Sequence, residues 1–268
     1  MNTKLTLLKL GGAVITNKEI PESVREDVLS RLVDEIAQAW KKRPGTFILG
    51  NGAGSFAHVP ASRYKTIDGF IHEESAIGMA ITQDAAARLN RVVVRSLIEA
   101  GVPAVSVAPS SSILTQNKKV KNWFGDVLVN HLERGLLPVV YGDVLADAAQ
   151  GCTIWSTDTV FSFLCRELPS FGYSVENIIH VTEAGGVWKD IQTKEIFPMI
   201  TISMKEEVRG SMTDTKGFDV TGGMWHKIQE ALSLAELGIQ TRIVSGIERK
   251  VVYNTLLGDS SFGTVITK

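Results

Sequence analysis

Cysteine is scarce in this sequence, and a strong net charge and a long apolar run are both missing. The two cysteines, Cys152 and Cys165, form no CxxC pair, which argues against a disulfide framework and favours a reducing compartment. A formal net charge of −1 gives no electrostatic footprint for nucleic acid or an anionic membrane. No apolar run approaches the roughly 20 residues that span a bilayer, and the first ten residues are too interrupted for a signal peptide. We therefore expect a cytoplasmic protein with no nucleic-acid and no membrane partner.

Several motifs of catalysis are missing as well. The five histidines show no metal-ligand spacing such as HExxH, so we expect no metal bound by protein side chains. The Walker pattern GxxxxGK[ST] is absent, and so are the HRD and DFG elements of protein kinases. A GxGxxG pattern is matched only loosely and lacks its ribose-binding context, which disfavours a nicotinamide-dependent oxidoreductase.

The sequence does contain an alternation of strand-like apolar runs and amphipathic segments. Its 268 residues allow one large α/β domain or two small ones. The strand patterns lie at 5–10, 46–50, 104–107, 138–141, 177–182, 241–244 and 263–267, and the helical patterns lie at about 22–42, 74–100, 123–135, 157–168, 222–237 and 248–257. This order predicts a single α/β domain over 1–268, with a mostly parallel central sheet and helices on both faces.

Three segments interrupt the alternation. The stretches 145–155 and 187–200 combine turn residues with short apolar runs, and we predict β-hairpins or excursions near the functional site. The segment 209–218 is rich in Gly, Ser, Thr and Asp and predicts a mobile loop. Ligands of such sheets bind at the carboxyl ends of the strands, so we expect the functional residues in the turns that follow the strands.

The glycine-rich turn at 50–58 is the most informative of these. Gly52, Ala53, Gly54 and Ser55 follow a buried strand, and small residues let consecutive amide groups cradle phosphate oxygens. His58 ends the turn and can donate a hydrogen bond to the same anion. The alternative is an ordinary strand-to-helix turn with an incidental histidine.

Lysines accompany the other glycine-rich turns. Lys9 interrupts an apolar strand just before Gly11 and Gly12, where an ammonium group needs an anionic partner, and Lys18 follows nine residues later. Lys227 comes about one turn after Gly222 and Gly223, which open a helix in the manner of a phosphate site. The alternative for each lysine is a solvated surface charge.

Two further clusters are candidates on weaker grounds. Gly142 and Asp143 end the fourth strand pattern, where glycine permits close approach to a ligand and the carboxylate can accept hydrogen bonds or orient a lysine; a plain turn into a hairpin explains them equally well. Asp158 follows Ser156, and the local alternative is a helix start with Ser156 as its N-cap. Several glycine-rich strand ends with three lysines and a histidine suit phosphoryl transfer, which depends on positioning and charge neutralisation.

These motifs together resemble the amino acid kinase superfamily over nearly the whole chain. Lys9-Leu10-Gly11-Gly12 is similar to its K-x-G-G opening, and the closest resemblance within it is to the isopentenyl phosphate kinase family. The Ser55-Phe56-Ala57-His58 ending of the loop carries that resemblance most specifically. Further matches lie at 139–144, 156–159, 220–224 with Lys227, and 261–266.

The resemblance implies a three-layer αβα sandwich and ATP-dependent phosphorylation of isopentenyl phosphate to isopentenyl diphosphate. It implies that His58 holds the acceptor phosphate beside the 52–55 loop, Gly142 and Asp143. Lys9 and Lys18 would neutralise the transferred phosphoryl group, and Asp158 would orient the lysines. The implied nucleotide-binding residues are Lys9, Gly11, Gly12, Thr182, Gly222, Gly223 and Lys227, with Mg²⁺ bridging ATP oxygens. The acceptor part would lie at roughly 1–150, the nucleotide part at roughly 151–268, and the enzyme would be a homodimer.

The sequence also departs from the family pattern. Asn51 replaces a histidine, Ala53 and Ala57 replace glycines, Ala13 stands where serine is frequent, and Glu183 lies in a segment that differs from T-D-V-D-G-V. An apolar pocket for the prenyl tail is expected from some of a larger set, namely Ile77, Met79, Ala80, Ile81 and Ile154, whose alternative is ordinary core. The competing functions are a kinase of the same fold acting on another phosphorus acid such as fosfomycin, and a catalytically silent nucleotide-binding sensor.

Overall fold

The computed structural model describes residues 3–190, 192–213 and 223–268. Within these ranges the strands are β1 (Thr3–Leu10), β2 (Phe47–Asn51), β3 (Ala104–Ser106), β4 (Ile113–Gln116), β5 (Lys119–Trp123), β6 (Leu137–Tyr141), β7 (Asp143–Asp147), β8 (Gly151–Trp155), β9 (Tyr173–Thr182), β10 (Trp188–Asp190), β11 (Glu195–Ile196), β12 (Met199–Ile200), β13 (Gln240–Ser245) and β14 (Thr264–Ile266). The α-helices are α1 (Gly12–Ile15), α2 (Glu26–Lys42), α3 (Gly54–Arg63), α4 (Ser75–Glu99), α5 (Asp126–Glu133), α6 (Thr157–Glu167), α7 (Lys205–Thr213), α8 (Gly223–Glu236) and α9 (Val251–Leu256).

The main sheet of the described residues has the order β12-β14-β13-β9-β1-β2-β6-β3. Neighbouring strands run parallel except for the antiparallel pair β13–β14. Each predicted strand coincides with one strand of this sheet, and the predicted mostly parallel order is confirmed. The parallel order requires crossovers, and helices such as α2, α4, α6 and α8 supply them.

Alternation along β1 shows how the sheet separates two apolar layers. Leu8 and Leu10 point into a core built with α2, α4 and α9, while Leu5 and Leu7 point into a second core built with α5 and α6. Successive side chains of a strand face opposite sides of the sheet, so β1 contributes to both layers. Helices therefore cover both faces, and the predicted three-layer sandwich is confirmed. Lys9 lies on the same face as Leu5 and Leu7, under α6.

The two predicted hairpins are confirmed. β7 pairs antiparallel with β8, and β10 pairs antiparallel with β11. The first hairpin continues into a smaller sheet through β4 and β5, which pair across a turn at Asn117 and Lys118. This third hairpin, β4–β5, was not predicted, and helix α5 consequently begins at Asp126 instead of at about 123.

The predicted loop at 209–218 is wrong over its first part. Residues up to Thr213 belong to α7, and residues 214–218 lie outside the described ranges. Glu206 and Glu207 lie in the first turn of α7, where negative charge favours a helix, and the fully buried Val208 anchors it to the core. Tertiary packing has outweighed the loop-like composition of this segment.

Within the described ranges, no helix combines the length and apolarity needed to cross a membrane.

Candidate active site

A cleft of about 790 Å³ opens at the carboxyl ends of the central strands. Its lining comes from the residues that end or follow β1, β2, β6 and β9, as expected for an open parallel sheet. Most of the predicted site residues line it, namely Lys9, Gly11, Gly12, Lys18, Gly52, Ala53, Gly54, Ser55, His58, Gly142, Asp143, Asp158, Thr182 and Lys227. Gly223 is the first residue of α8, and Gly222 lies outside the described residues.

The turns after β1 and β2 pack their backbones directly against each other. A Cβ atom on Gly52 would lie 2.7 Å from the Gly12 nitrogen, and one on Gly12 would overlap the Gly54 backbone. Gly54 also has φ +53°, in the left-handed region that disfavours other residues. The glycines are therefore required by this close approach, which brings the start of α3 beside the end of β1.

Ser55 lies in the first turn of α3, and its side-chain hydroxyl lacks a hydrogen-bond partner within the part of the chain that the structure describes. Its backbone N–H donates to Thr16 Oγ1 at 3.0 Å, and Thr16 Oγ1 donates to the Gly12 carbonyl at 2.7 Å. The Ser55 side chain is buried, and its Oγ has no hydrogen-bond partner among the described residues. A buried hydroxyl at the N-terminus of a helix is well placed to donate to an anion.

Three departures from the family pattern fit this loop without strain. Ala53 has φ −70° and ψ −23°, and Ala57 lies within α3, so both tolerate a side chain. The side-chain oxygen of Asn51 accepts a hydrogen bond from Asn90 on α4 at 3.0 Å, which fixes Asn51 beneath the loop. The position with positive φ, Gly54, has kept its glycine.

A buried carboxylate joins two lysines on the opposite wall. Asp158 Oδ2 lies 2.6 Å from Lys9 Nζ and 3.2 Å from Lys227 Nζ, and only 10 % of the Asp158 side chain is exposed. Lys9 comes from β1, Asp158 from the first turn of α6 and Lys227 from α8, so three separate elements meet here. Ser156 caps α6 by accepting a hydrogen bond from the Thr159 N–H, which confirms the predicted N-cap.

The neighbouring lysine charges determine the protonation state of Asp158. Burial alone would raise the pKa of Asp158, but the positive charges of Lys9 and Lys227 hold that pKa well below its usual range. Asp158 is therefore a carboxylate shared by two ammonium groups. Burial lowers the pKa of Lys9 more than the Asp158 carboxylate raises it, so a further anion beside Lys9 would stabilise its charged form.

His180 belongs to the same group and was not anticipated from the sequence. It pairs with Lys9 in the parallel register of β9 and β1, and its Nδ1 lies 3.4 Å from Asp158 Oδ1. Burial, together with Lys9 and Lys227, lowers the pKa of His180 to about 3 despite the opposing effect of Asp158, so the ring is neutral. A polar residue amid an apolar strand was the signal that could have found it, since the same signal singled out Lys9.

Lys18 lies apart from the other two lysines. Its side chain is 67 % exposed at the cleft rim, where its Nζ lies 3.4 Å from a Glu183 carboxylate oxygen. The other oxygen of Glu183 accepts a hydrogen bond from Arg25 Nη1 at 2.6 Å. The structure thus does not bring Lys18 to Asp158, and Glu183, one of the departures, holds Lys18 and Arg25 together.

His58 and Asp143 flank the acceptor side of the cleft. Partial burial and the positive charge of Lys9 lower the pKa of His58. Asp143 is buried, and its carboxylate accepts hydrogen bonds from the Ser110 N–H at 3.0 Å and from the Val144 N–H at 2.8 Å. No lysine is among these contacts, so Asp143 fixes the local backbone instead of orienting one of the cleft lysines.

The apolar lining comes mainly from α3, the middle of α4 and the β7–β8 hairpin. It includes Ala57, Ala61, Ala86, Val144 and Ile154. Of the residues predicted for a tail pocket, Ile154 lines the cleft. Ile77, Met79, Ala80 and Ile81 lie outside the lining because they are on α4 before its cleft-facing part, where Ile77 is 54 % exposed.

Metal-ligating side chains do not gather in the described part of the chain. No group of three or more His, Cys, Asp or Glu residues there is placed to hold a metal ion. Lys9, Lys227 and Asp158 form a lysine cluster with His180, and the Asp158 carboxylate is already shared by the two ammonium groups.

Comparison with known proteins identifies the family of this chain. The model of the amino acid kinase family matches residues 4–245. The isopentenyl phosphate kinase of Methanothermobacter thermautotrophicus is 33 % identical over 98 % of this chain and 99 % of its own length. The isopentenyl phosphate kinase of Arabidopsis thaliana is 27 % identical over 89 % of this chain and 86 % of its own length.

Solved structures extend the same likeness to three dimensions. A crystal structure of isopentenyl phosphate kinase matches with a TM-score of 0.81 and 30 % identity, covering 98 % of this chain and all of the other. An isopentenyl phosphate kinase substrate complex, at 19 % identity and a TM-score of 0.75, shares the fold. Together with the matched family model, these likenesses show that the chain belongs to the amino acid kinase family, among the isopentenyl phosphate kinases.

Proposed function

We propose that this protein transfers the γ-phosphoryl group of ATP to isopentenyl phosphate, giving isopentenyl diphosphate. The observation that carries the proposal is the convergence of Lys9 and Lys227 on Asp158 in the cleft that also contains the glycine turns and His58. Two ammonium groups share one buried carboxylate, so the cluster keeps positive charge for the phosphates of both substrates. Phosphoryl transfer gains most from such fixed charge and positioning.

The acceptor phosphate is proposed to lie against the start of α3. The unpartnered Ser55 hydroxyl and the His58 imidazole would donate hydrogen bonds to its oxygens, while the backbone at Gly54 allows close approach. Ala57, Ala61 and Ile154 would receive the prenyl tail. An acceptor that is already a phosphate is nucleophilic at neutral pH, so the reaction needs no strong general base.

The nucleotide is proposed to lie between the ends of β1 and β9 and the start of α8. Lys9, Gly11, Gly12, Thr182 and Lys227 line this side of the cleft. Asp158 holds Lys9 and Lys227 in fixed directions, so both ammonium groups can stabilise charge that develops on the transferred group without first reorganising. Lys18, at the rim, would close over the phosphates from the solvent side.

The remaining parts of the proposal concern magnesium and organisation. Mg²⁺ would enter with ATP and bridge its phosphate oxygens, since the described side chains offer no cluster for it. Residues 1–150 would form the acceptor part and 151–268 the nucleotide part. A homodimer in the cytoplasm stays a prediction, for which size-exclusion chromatography with light scattering and fractionation of the host cells are the direct measurements.

An acceptor panel tests the proposed activity. Coupled ADP release would be followed with ATP, Mg²⁺ and, separately, isopentenyl phosphate, a short alkyl monophosphate and fosfomycin. We expect the highest kcat/KM with isopentenyl phosphate and a strong loss in His58→Ala. His131→Ala, a substitution on α5 outside the cleft lining, is the matched control and should behave as wild type.

Two other outcomes would replace the proposal. Preferred turnover of fosfomycin would make the protein a kinase for a different phosphorus acid. Binding of ATP without ADP release for any acceptor would indicate a nucleotide-binding sensor.

A further inference from the structure

His180 has no part in the proposed function so far, yet it is buried in the centre of the lysine cluster. Strand alternation puts it on the same face of the sheet as Ile178, and the register of β9 with β1 puts it beside Lys9. Asp158 of α6, Lys9 of β1 and Lys227 of α8 are the charged groups that face it. A core position next to two lysines is unfavourable for a third cation and would ordinarily be apolar.

Two buried atoms in this cluster lack hydrogen-bond partners, and they face each other. Asp158 Oδ1 and His180 Nδ1 are both buried and unsatisfied among the described residues, and they lie 3.4 Å apart. A small rotation of either side chain closes a hydrogen bond between them. Leaving both groups unpaired would be costly, so the bond is the natural resolution.

We propose that His180 is a positioning residue for phosphoryl transfer, in which a neutral imidazole donates its Nδ1–H to Asp158 Oδ1. The other tautomer would point the Nδ1 lone pair at a carboxylate oxygen, which is repulsive. The ring stays neutral because burial lowers its pKa. Asp158 is then held at both oxygens, with Oδ1 fixed by His180 and Oδ2 shared by Lys9 and Lys227.

The consequence concerns the direction of the lysines and rests on the proposed function. A carboxylate free to rotate would let Lys9 and Lys227 change direction between ground state and transition state. A neutral donor prevents this without adding a third cation, so the positive charge of the two lysines stays available to the phosphates. Misplacement of charge-stabilising groups by a fraction of an ångström to an ångström lowers kcat more than it raises KM.

Two matched substitutions test the proposal by activity. His180→Asn places an amide N–H near the position of Nδ1, whereas His180→Gln extends its N–H to the position of Nε2. We expect Asn to keep most of the wild-type kcat and Gln to lose about 10- to 100-fold, with little change in the KM for the acceptor. Equal kcat in wild type, Asn and Gln variants of confirmed fold would overturn the positioning role, and so would equal losses in Asn and Gln.

The imidazole tautomer gives a second readout that needs no turnover. Long-range ¹H–¹⁵N spectra of the ¹⁵N-histidine protein at pH 7.5 distinguish Nδ1–H from Nε2–H rings, and the His180 signals are those absent from His180→Asn. We expect the Nδ1–H form, with an Nδ1 signal that moves in Asp158→Asn. An Nε2–H ring or a charged imidazolium would refute the proposal. Because this measurement is independent of the acceptor, an inactive wild type would refute the proposed function and leave the His180 proposal to the spectrum.

Discussion

Gly54→Ala is the substitution whose loss of unfolding free energy follows most directly from the structure. Gly54 has φ +53°, and an added Cβ would lie 2.7 Å from Thr16 Cγ2, 3.0 Å from the Gly12 carbonyl oxygen, and overlap Thr16 Oγ1. The left-handed backbone costs an alanine about 1–2 kcal/mol. Displacing Thr16 also removes the acceptor of the buried Ser55 N–H, which costs about 1–3 kcal/mol more. The expected total is about 2–5 kcal/mol of unfolding free energy.

The matched control separates the two contributions. Gly45 also has positive φ, +72°, but nothing lies within 4 Å of an added Cβ. Gly45→Ala should therefore cost only the backbone penalty of about 1–2 kcal/mol and leave turnover unchanged. Urea unfolding of both variants, followed by circular dichroism, measures the difference. Removing the clashing atoms with Thr16→Ala should make Gly54→Ala less costly than it is in the wild type, as a double-mutant cycle would show.

The same substitution should impair acceptor binding, since Ser55 would move with the displaced turn. We expect the KM for isopentenyl phosphate to rise by about 10-fold or more. The reasoning would be wrong if Gly54→Ala were no less stable than Gly45→Ala and bound the acceptor like wild type. Equal stability would mean that the two glycine turns are not packed as described.

Further predictions concern charge and pH. Lys9→Met should lower kcat/KM by about 100-fold or more, because it removes a buried cation beside the transferred group. Lys18→Met should lower kcat/KM less, because Lys18 is 67 % exposed at the rim. Steady-state kinetics measures both, with Lys41→Met on α2 as a control that should match wild type, and a larger loss in Lys18→Met than in Lys9→Met would contradict the assignment. His180 has a folded-state pKa of about 3 against 6.5 when unperturbed, so its contribution to stability is complete above pH 6.5 and is lost as the pH falls. Between pH 6 and 4, the unfolding free energy of His180→Asn should therefore fall less steeply than that of wild type, by about 1.4 kcal/mol per pH unit; parallel slopes in urea titrations would contradict a buried neutral ring.

The regular part of the fold follows from local sequence, because buried parallel strands and amphipathic helices carry strong periodic signals. The β4–β5 hairpin does not, since most of β5 is exposed and has no apolar alternation to reveal it. Its turn uses Asn117 and Lys118 at φ +51° and +64°, without the glycine that usually marks such turns. Helix α7 was hidden in a similar way, because Val208 is the one buried residue among those of α7 whose burial is described, in a segment whose composition favours a loop.

The candidate site could be predicted where a residue stood out from its local sequence for a single physical reason. A lysine inside an apolar strand and glycines at strand ends pointed to Lys9 and Gly54 directly. The partners of the lysines did not follow from local sequence, because Asp158 and His180 meet Lys9 only through strand register and helix packing; the family resemblance implied Asp158, and His180 was not anticipated. Lys18 shows the opposite case, because a lysine that was predicted for the site lies at the cleft rim, where Glu183 holds it.

The central claim is that this cleft moves a phosphoryl group from ATP onto an acceptor that already carries a phosphate. The most direct measurement is ³¹P NMR of the wild-type protein with ATP, Mg²⁺ and isopentenyl phosphate. We predict that the monophosphate signal disappears while two coupled diphosphate doublets and ADP form in equal amounts. An unchanged monophosphate signal, with only ADP and inorganic phosphate formed or with no reaction at all, would contradict this claim.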